Sequence, residues 1–368
     1  MTVKITSVEA IPVSVPLSVP FVVWRGPITH VDRVIVKVTT DEGITGYGES
    51  AVLPYYADES QAESLVSIKE DLTRMIVGED PFELEKFVRN TDLVLGHHCT
   101  KAAIETALWD MIGKKLNLPV YKLIGGRYND KLPVVGVVTL VTPKETASEA
   151  ERLASLGHKT IKLKGGLGLA ADVKNFCTAR EAVGSDIKIR IDVEENYTPK
   201  AAIKMIKAIE PYDPELVSQP VSRFDMDGLS MVRKAVATPI LADECVFGPE
   251  DVMEVVRREA ADMINIKVMK SGGIYNSKKM ANIAEMADLP CLIGSMIELG
   301  PGTNASAHFM TATKIAGSLA CELVGSTKIK DDVIKDPLMI ENGFLSVPDK
   351  PGLGFEIDQA KLERYRTM

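Results

Sequence analysis

No apolar run in the chain reaches membrane-spanning length, no block of basic residues occurs, and no cysteine or histidine set has zinc-site spacing. No membrane partner is therefore expected. A formal net charge of −8 argues against nucleic acid as well. Met1-Thr2-Val3-Lys4 has no charged head followed by an apolar core, so a signal peptide is not expected. The five cysteines (Cys99, Cys177, Cys245, Cys291, Cys321) are scattered and odd in number. Reduced thiols in a cytoplasmic protein are the simplest expectation. Low-complexity segments and close repeats are missing too.

What is present is ample core material: 45% hydrophobic residues and an ordinary 26% charged, over 368 residues, a length that suggests two domains. Residues 3–14 alternate like a strand, and residues 15–31, with their Pro and Gly punctuation, read as a long loop. Arg33–Val38 and Ile44–Glu49 complete a meander around Asp41-Glu42-Gly43. A second loop covers 51–57. Helical patterns follow at about 58–77, 81–92 and 99–117. Strands first and helices after make residues 1–127 an α+β unit.

From residue 132 short apolar runs alternate with amphipathic stretches. The runs are Leu132–Leu140, Thr160–Lys164, Ile187–Val193, Glu215–Gln219, Pro239–Ala242, Met263–Val268, Pro290–Gly294 and Ser318–Leu323. This predicts a closed parallel TIM-type barrel over 128–325. No standard helix follows the last run. The irregular tail, 326–368, is expected to pack back on the first unit.

Catalytic side chains of such barrels come from the C-terminal ends of strands. Those ends carry Lys162 and Lys164, then Asp192, Glu194 and Glu195, then Ser218 and Gln219. Asp243 and Glu244, Lys267, and Glu322 follow. Lys162 and Lys164 share a strand face by the period-2 rule. Alone they read as a solvated strand face. Paired in a site, their repulsion lowers a lysine pKa, and one brought to roughly 7–8 takes a proton at neutral pH. So many charges are costly to bury unless they pair or hold a metal. Asp192, Glu194 and Asp243 are hard oxygen donors, which favours Mg²⁺ or Mn²⁺. Lys164 and Lys267 fall on opposite sides of a barrel of eight. A metal between them suits proton abstraction α to a carboxylate, with the metal holding the enediolate.

At this point the sequence resembles the enolase superfamily, in its muconate lactonizing enzyme subgroup. The matching stretches run along essentially the whole chain. They include Gly46-Tyr47-Gly48-Glu49, Lys101 to Asp110, Leu123-Ile124-Gly125-Gly126, Lys162-Leu163-Lys164 and Arg190-Ile191-Asp192. Gln219-Pro220, Ala242-Asp243-Glu244, Ile266-Lys267 with Gly272-Gly273, Cys321-Glu322-Leu323 and Pro351 to Gly354 complete them. The resemblance implies a (β/α)7β barrel with an α+β capping domain completed by the C-terminal tail. It implies Lys164 and Lys267 as acid/bases, Lys162 lowering the pKa of Lys164 and touching the substrate carboxylate, and Glu244 holding Lys267. Asp192 and Asp243 become metal ligands, and Glu322 approaches the substrate. The loops at 15–31 and 51–57 are implied to close over the substrate, making Trp24, Arg25, Tyr55 and Tyr56 candidates. Glu298, after the seventh strand, is a further candidate at the mouth. A dimer or octamer is also implied.

The chain departs from the family pattern at two linked places. Where the family has Glu-Gln-Pro, this chain has Ser218-Gln219-Pro220, so a metal-binding carboxylate is missing. Where the family has Asp-x-Asn, it has Asp192-Val193-Glu194. The expectation is a swap, with Glu194 supplying what Ser218 cannot; the competing reading is a barrel that only binds a ligand. No His stands on the seventh strand, which argues against the mandelate racemase branch. His97, His98 and His308 read as structural. The expected activity is isomerisation of a small carboxylate, either cycloisomerisation or racemisation or epimerisation of an amino-acid derivative. A dehydratase of acid sugars or hydroxy acids is the alternative.

Overall fold

The computed structural model describes residues 3–57, 59–317 and 319–367. Asp58 and Ser318, where one helical pattern and the last apolar run were expected to begin, lie outside the described residues, as do Met1, Thr2 and Met368. Three antiparallel strands open the chain, β1 (Ile5–Val23), β2 (Gly26–Thr40) and β3 (Thr45–Ser50), in the order β1-β2-β3.

The expected loop at 15–31 is instead the outer half of a long hairpin. Val15 pairs with Val31, and Val23 with Gly26, so only Trp24 and Arg25 turn the chain. Burial of Val13, Val15, Leu17, Phe21 and Val23 shows the period of two that the prolines obscured. The prolines fit because β1 is an edge strand. Along its outer edge Pro12 O accepts from Thr367 N and Pro16 O from Lys330 N (both 3.0 Å). The missing proline N–H groups therefore face away from β2 and cost no ladder bond. The same bonds lay the C-terminal tail along the hairpin.

The long helix His98–Leu116 packs on β2 and β3 and is buried along most of its length. It also grips the barrel. Glu105 accepts from Ile274 N (2.9 Å), Tyr275 N (2.8 Å) and Trp109 Nε1 (2.7 Å), capping the barrel helix Ile274–Met286 from outside. A carboxylate at a helix N-terminus satisfies orphan amides. A Cβ on Gly273 would stand 2.3 Å from Glu105 Oε2, so glycine is required there. Glu105→Ala is expected to lower stability by about 2–3 kcal/mol, because buried donors lose their acceptor. Urea unfolding with a change below 1 kcal/mol would show that water replaces the carboxylate.

The expected first run splits into β4 (Leu132–Pro133), which lies outside the barrel sheet, and β5 (Gly136–Val138); the other barrel strands are β6 (Thr160–Lys164), β7 (Lys188–Asp192), β8 (Pro214–Ser218), β9 (Ile240–Ala242), β10 (Met263–Ile266) and β11 (Cys291–Ile293). Strands β5 to β11 form one parallel sheet in chain order. The segment around Cys321 closes it. Cys321 N donates to Pro133 O (2.7 Å), Val135 N to Cys321 O (2.9 Å), and Glu322 N to Ile293 O (2.8 Å). Helices between the strands cover the outside, with a capping box at Thr142 and Glu145 and Pro at the first turn at 143, 199 and 249. After Cys321 come the short helix Gly325–Lys328, β12 (Phe344–Leu345), which pairs with β4, and the helix Gln359–Tyr365.

Candidate active site

Lys164, Asp192 and Ser218 are register partners at the C-terminal ends of β6, β7 and β8. Lys162 lies two residues down the same face. Its Nζ stands 2.8 Å from both Asp192 Oδ2 and Glu322 Oε2. Lys164 Nζ lies 2.9 Å from Asp192 Oδ2 and also contacts Glu194 Oε1. Four strands round the barrel, Lys267 Nζ lies 2.8 Å from Asp243 Oδ1. A Cβ on Gly294 would stand 2.8 Å from Lys267 Cε, so the end of β11 must be glycine to leave room for this lysine.

Two residues that strand-end reasoning passed over complete the Asp243 environment. Lys270 donates to Asp243 O (2.7 Å) and approaches Oδ1 at 3.3 Å, while Asn265 Nδ2 donates to Oδ2 (2.9 Å). The signal was available: Asn265 shares the face of Lys267 two residues on, and Lys270 follows after one turn.

The electrostatics reverse one expectation. Burial lowers the Lys164 pKa, but the Asp192 and Glu194 charges outweigh it and hold Lys164 well above its ordinary value. The repulsion from Lys162 is thus overridden by carboxylates. Lys267 is raised in the same way by Asp243 and Glu244. Burial would raise Asp192 and Asp243, yet Lys162 and Lys164 in one case, and Lys267 and Lys270 in the other, hold them below the carboxylate range. Glu244 differs. Burial and then the Asp243 charge push it up to about 8. The residue holding Lys267 at contact distance is Asp243, rather than Glu244 as the resemblance implied, because Glu244 presents its carboxylate to the cavity instead.

Lys162, Lys164, Lys267, Glu194, Glu244 and Glu322 form the charged floor of one cavity. Phe21, Val23 and Ile28 from the hairpin roof it, with Leu53 and Tyr56 from the next segment. Val137, Ile297 and Val324 wall it from the barrel side. Burial raises the Tyr56 phenol well above its usual range, so it stays protonated.

The other loop candidates lie off this lining. Trp24 latches the hairpin tip, its Nε1 donating to Glu194 O (3.1 Å). Arg25 stacks on Trp24 (4.4 Å) and reaches Glu195 Oε2 (3.5 Å), which Arg223 also holds (2.8 Å). Tyr55 is 64% exposed and offers its carbonyl to Arg223. Glu298 is buried but turned back, accepting from Met296 N (2.8 Å) and from Ser295 Oγ. It braces a loop that Arg33 clamps to the cap. The Arg33 guanidinium donates to Met296 O (2.6 Å), Ile297 O (3.1 Å) and Val52 O, and lies 3.3 Å from Glu49 Oε1. Sequence reading missed Arg33, since nothing local marks a partner so far along the chain.

Glu194 Oε2, Ser218 Oγ and Glu244 Oε2 are buried without a hydrogen-bond partner among the described residues. All are hard oxygens beside ionised Asp192 and Asp243, as Mg²⁺ prefers. Lysines close on these carboxylates, and among the described residues no three acidic, His or Cys side chains converge as a finished cage.

A profile for the mandelate racemase / muconate lactonizing enzyme N-terminal domain matches residues 5–125, and one for an enolase C-terminal domain-like unit matches residues 145–361. The chain belongs to the mandelate racemase/muconate lactonizing enzyme family of the enolase superfamily. Within that family it is similar to the N-succinyl-L-Arg/Lys racemase of Bacillus cereus, 36% identical over 362 residues (98% of this chain, 97% of the relative). It is similar to muconate cycloisomerase 1 of Acinetobacter baylyi, 31% identical over 368 residues (98% and 99%). A crystal structure of an Enterococcus faecalis dipeptide epimerase, complexed with Mg and L-Leu-L-Tyr, superposes with a TM-score of 0.92 at 35% identity, covering 96% of this chain and 99% of that one. These relatives are isomerases: a racemase, a cycloisomerase and an epimerase. Family membership implies a divalent metal.

Proposed function

We propose that this chain is a two-base isomerase that racemises or epimerises the carbon α to the carboxylate of a small amino-acid derivative. The observation that carries this is the placement of Lys164 and Lys267 on opposite sides of one cavity. A cation on Asp192 and Glu194 would withdraw the charges that hold Lys164 protonated, and whichever lysine is present as the free amine takes the α-proton: the C–H bond breaks, an N–H bond forms, and the electron pair moves into the carboxylate. The other Nζ–H then returns a proton to the opposite face. Lys162, between Asp192 and Glu322, is placed to receive the substrate carboxylate. Asp192 and Asp243, with Glu194 in place of the carboxylate that Ser218 lacks, would hold Mg²⁺. When bound, the cation supplies Lewis-acid neutralisation of the substrate carboxylate.

Incubation of a carboxylate panel with Mg²⁺ in D₂O tests this. The expected result is deuterium at Cα and formation of both stereoisomers. No exchange with any carboxylate, together with no calorimetric Mg²⁺ binding, would favour a barrel that only binds a ligand. Glu194→Ala is expected to weaken Mg²⁺ binding by about 10–100-fold. An unchanged affinity in titration calorimetry would remove Glu194 from the ligand set.

A further inference from the structure

The charges around the cavity are distributed unevenly. Lys162, Lys164 and Lys267 all belong to the floor, and each is held there by Asp192, Glu194, Glu322 or Asp243. The roof and walls contributed by Phe21, Val23, Ile28, Leu53, Val137 and Val324 are apolar, and the polar side chains among them, Tyr56 and Ser295, offer neutral hydroxyls and no charge. Other nearby cations are committed elsewhere: Arg25 to Glu195, Arg190 to Glu215 (2.7 Å), and Arg33 to backbone carbonyls and Glu49.

Lys328 is the exception. Its Nζ reaches only a backbone carbonyl, Val137 O, at 3.4 Å, and has no ion-pair partner among the described residues. It lines an outer groove with Glu145 and with Glu149, whose charge also acts on it but whose carboxylate is held by Arg152 (2.7 Å). Phe21 and Val137 line both that groove and the catalytic cavity. The Phe21 ring centre lies 5.9 Å from Lys164 Nζ and 5.8 Å from Lys328 Nζ. Phe21 itself is 7% exposed. The ring is therefore a partition between the reacting centre and the one uncommitted ammonium group near it.

Resting on the isomerase reading above, we infer that the substrate is a monocarboxylate with an uncharged, apolar body, and that Phe21 excludes substrates with a second anion by screening Lys328. The floor receives one carboxylate. A second one would enter a roof that holds no cation, and burying a charge without a counter-charge is strongly unfavourable. Removing the ring opens a path to Lys328 and should admit the second anion.

Deuterium exchange at Cα would be measured on matched pairs: L-Ala-L-Leu against L-Ala-L-Glu, and N-butanoyl-L-leucine against N-succinyl-L-leucine. Turnover of cis,cis-muconate is followed beside them. The expected result is a kcat/KM about 100-fold higher for the apolar member of a pair and no turnover of muconate. Phe21→Ala should narrow the ratio about 10-fold, and adding Lys328→Met should restore it. Because each value is a ratio within one variant, partial loss of folding cancels. Equal or better exchange with the dianions, or conversion of muconate, overturns the inference while leaving the isomerase reading in place. A ratio unmoved by Phe21→Ala overturns the role of the ring. Absence of exchange with every probe overturns the isomerase reading and this inference with it.

Discussion

Lys267→Met abolishes interconversion of stereoisomers but leaves deuterium entering one antipode; Lys164→Met does the same for the other. This follows from the positions of the two side chains. Lys164 ends β6 and Lys267 follows β10, four strands round the ring, so each ammonium group addresses one face of the substrate. Losing a positioned acid or base costs about 10²–10⁴-fold in rate. Interconversion needs both and falls by at least that much. Exchange needs only the base on the proton's own side. Met keeps the length and packing of Lys, and in Lys267→Met the Asp243 carboxylate retains Lys270 and Asn265. The measurement is Cα deuteration of each antipode separately by mass spectrometry. Equal loss for both antipodes in both variants would show that the lysines do not divide the two faces.

Asp243→Ala is expected to lower stability by about 3–5 kcal/mol, the usual consequence of stripping one side of a buried ion pair. The carboxylate is fully buried and is shared by Lys267, Lys270 and Asn265. Without it two ammonium groups remain buried beside each other with no charge at contact distance. Adding Lys267→Met should recover part of the loss, because one unpaired charge then remains instead of two. Urea unfolding of the single and double variants measures this. A double variant less stable than Asp243→Ala by the full cost of a further core substitution would refute the coupling.

The barrel was legible because its strands are buried on both faces and announce themselves as short apolar runs. Thr160–Lys164 is a strand over its expected residues, and Lys188–Asp192 differs from expectation only at its ends. The hairpin was not legible, since Pro12, Pro16 and Pro20 imitate a loop, and only an edge position, a tertiary fact, makes them compatible with a strand. Within the site, the period of two placed Lys162 with Lys164 and Asp192 with Glu194. The sign of the Lys164 shift was not legible. Two lysines considered together repel; carboxylates from the adjacent strand raise Lys164 instead. The Arg33 clamp joins positions too distant in sequence for any local pattern to reveal.

The prolines of β1 bear on how the chain assembles. Along its proline stretch the outer edge of that strand bonds to residues much later in the chain, Lys330 and Thr367. During synthesis β2, β3 and the long helix emerge first, so this stretch of the cap hairpin waits with its edge open until the segment carrying Lys330 and Thr367 has been made. An open edge is a template for pairing with another nascent chain. Pro12 and Pro16 place no N–H on that edge, so a foreign strand finds carbonyls there without the matching donors. The same residues that hide the strand from a reader of the sequence protect it until its own partner arrives.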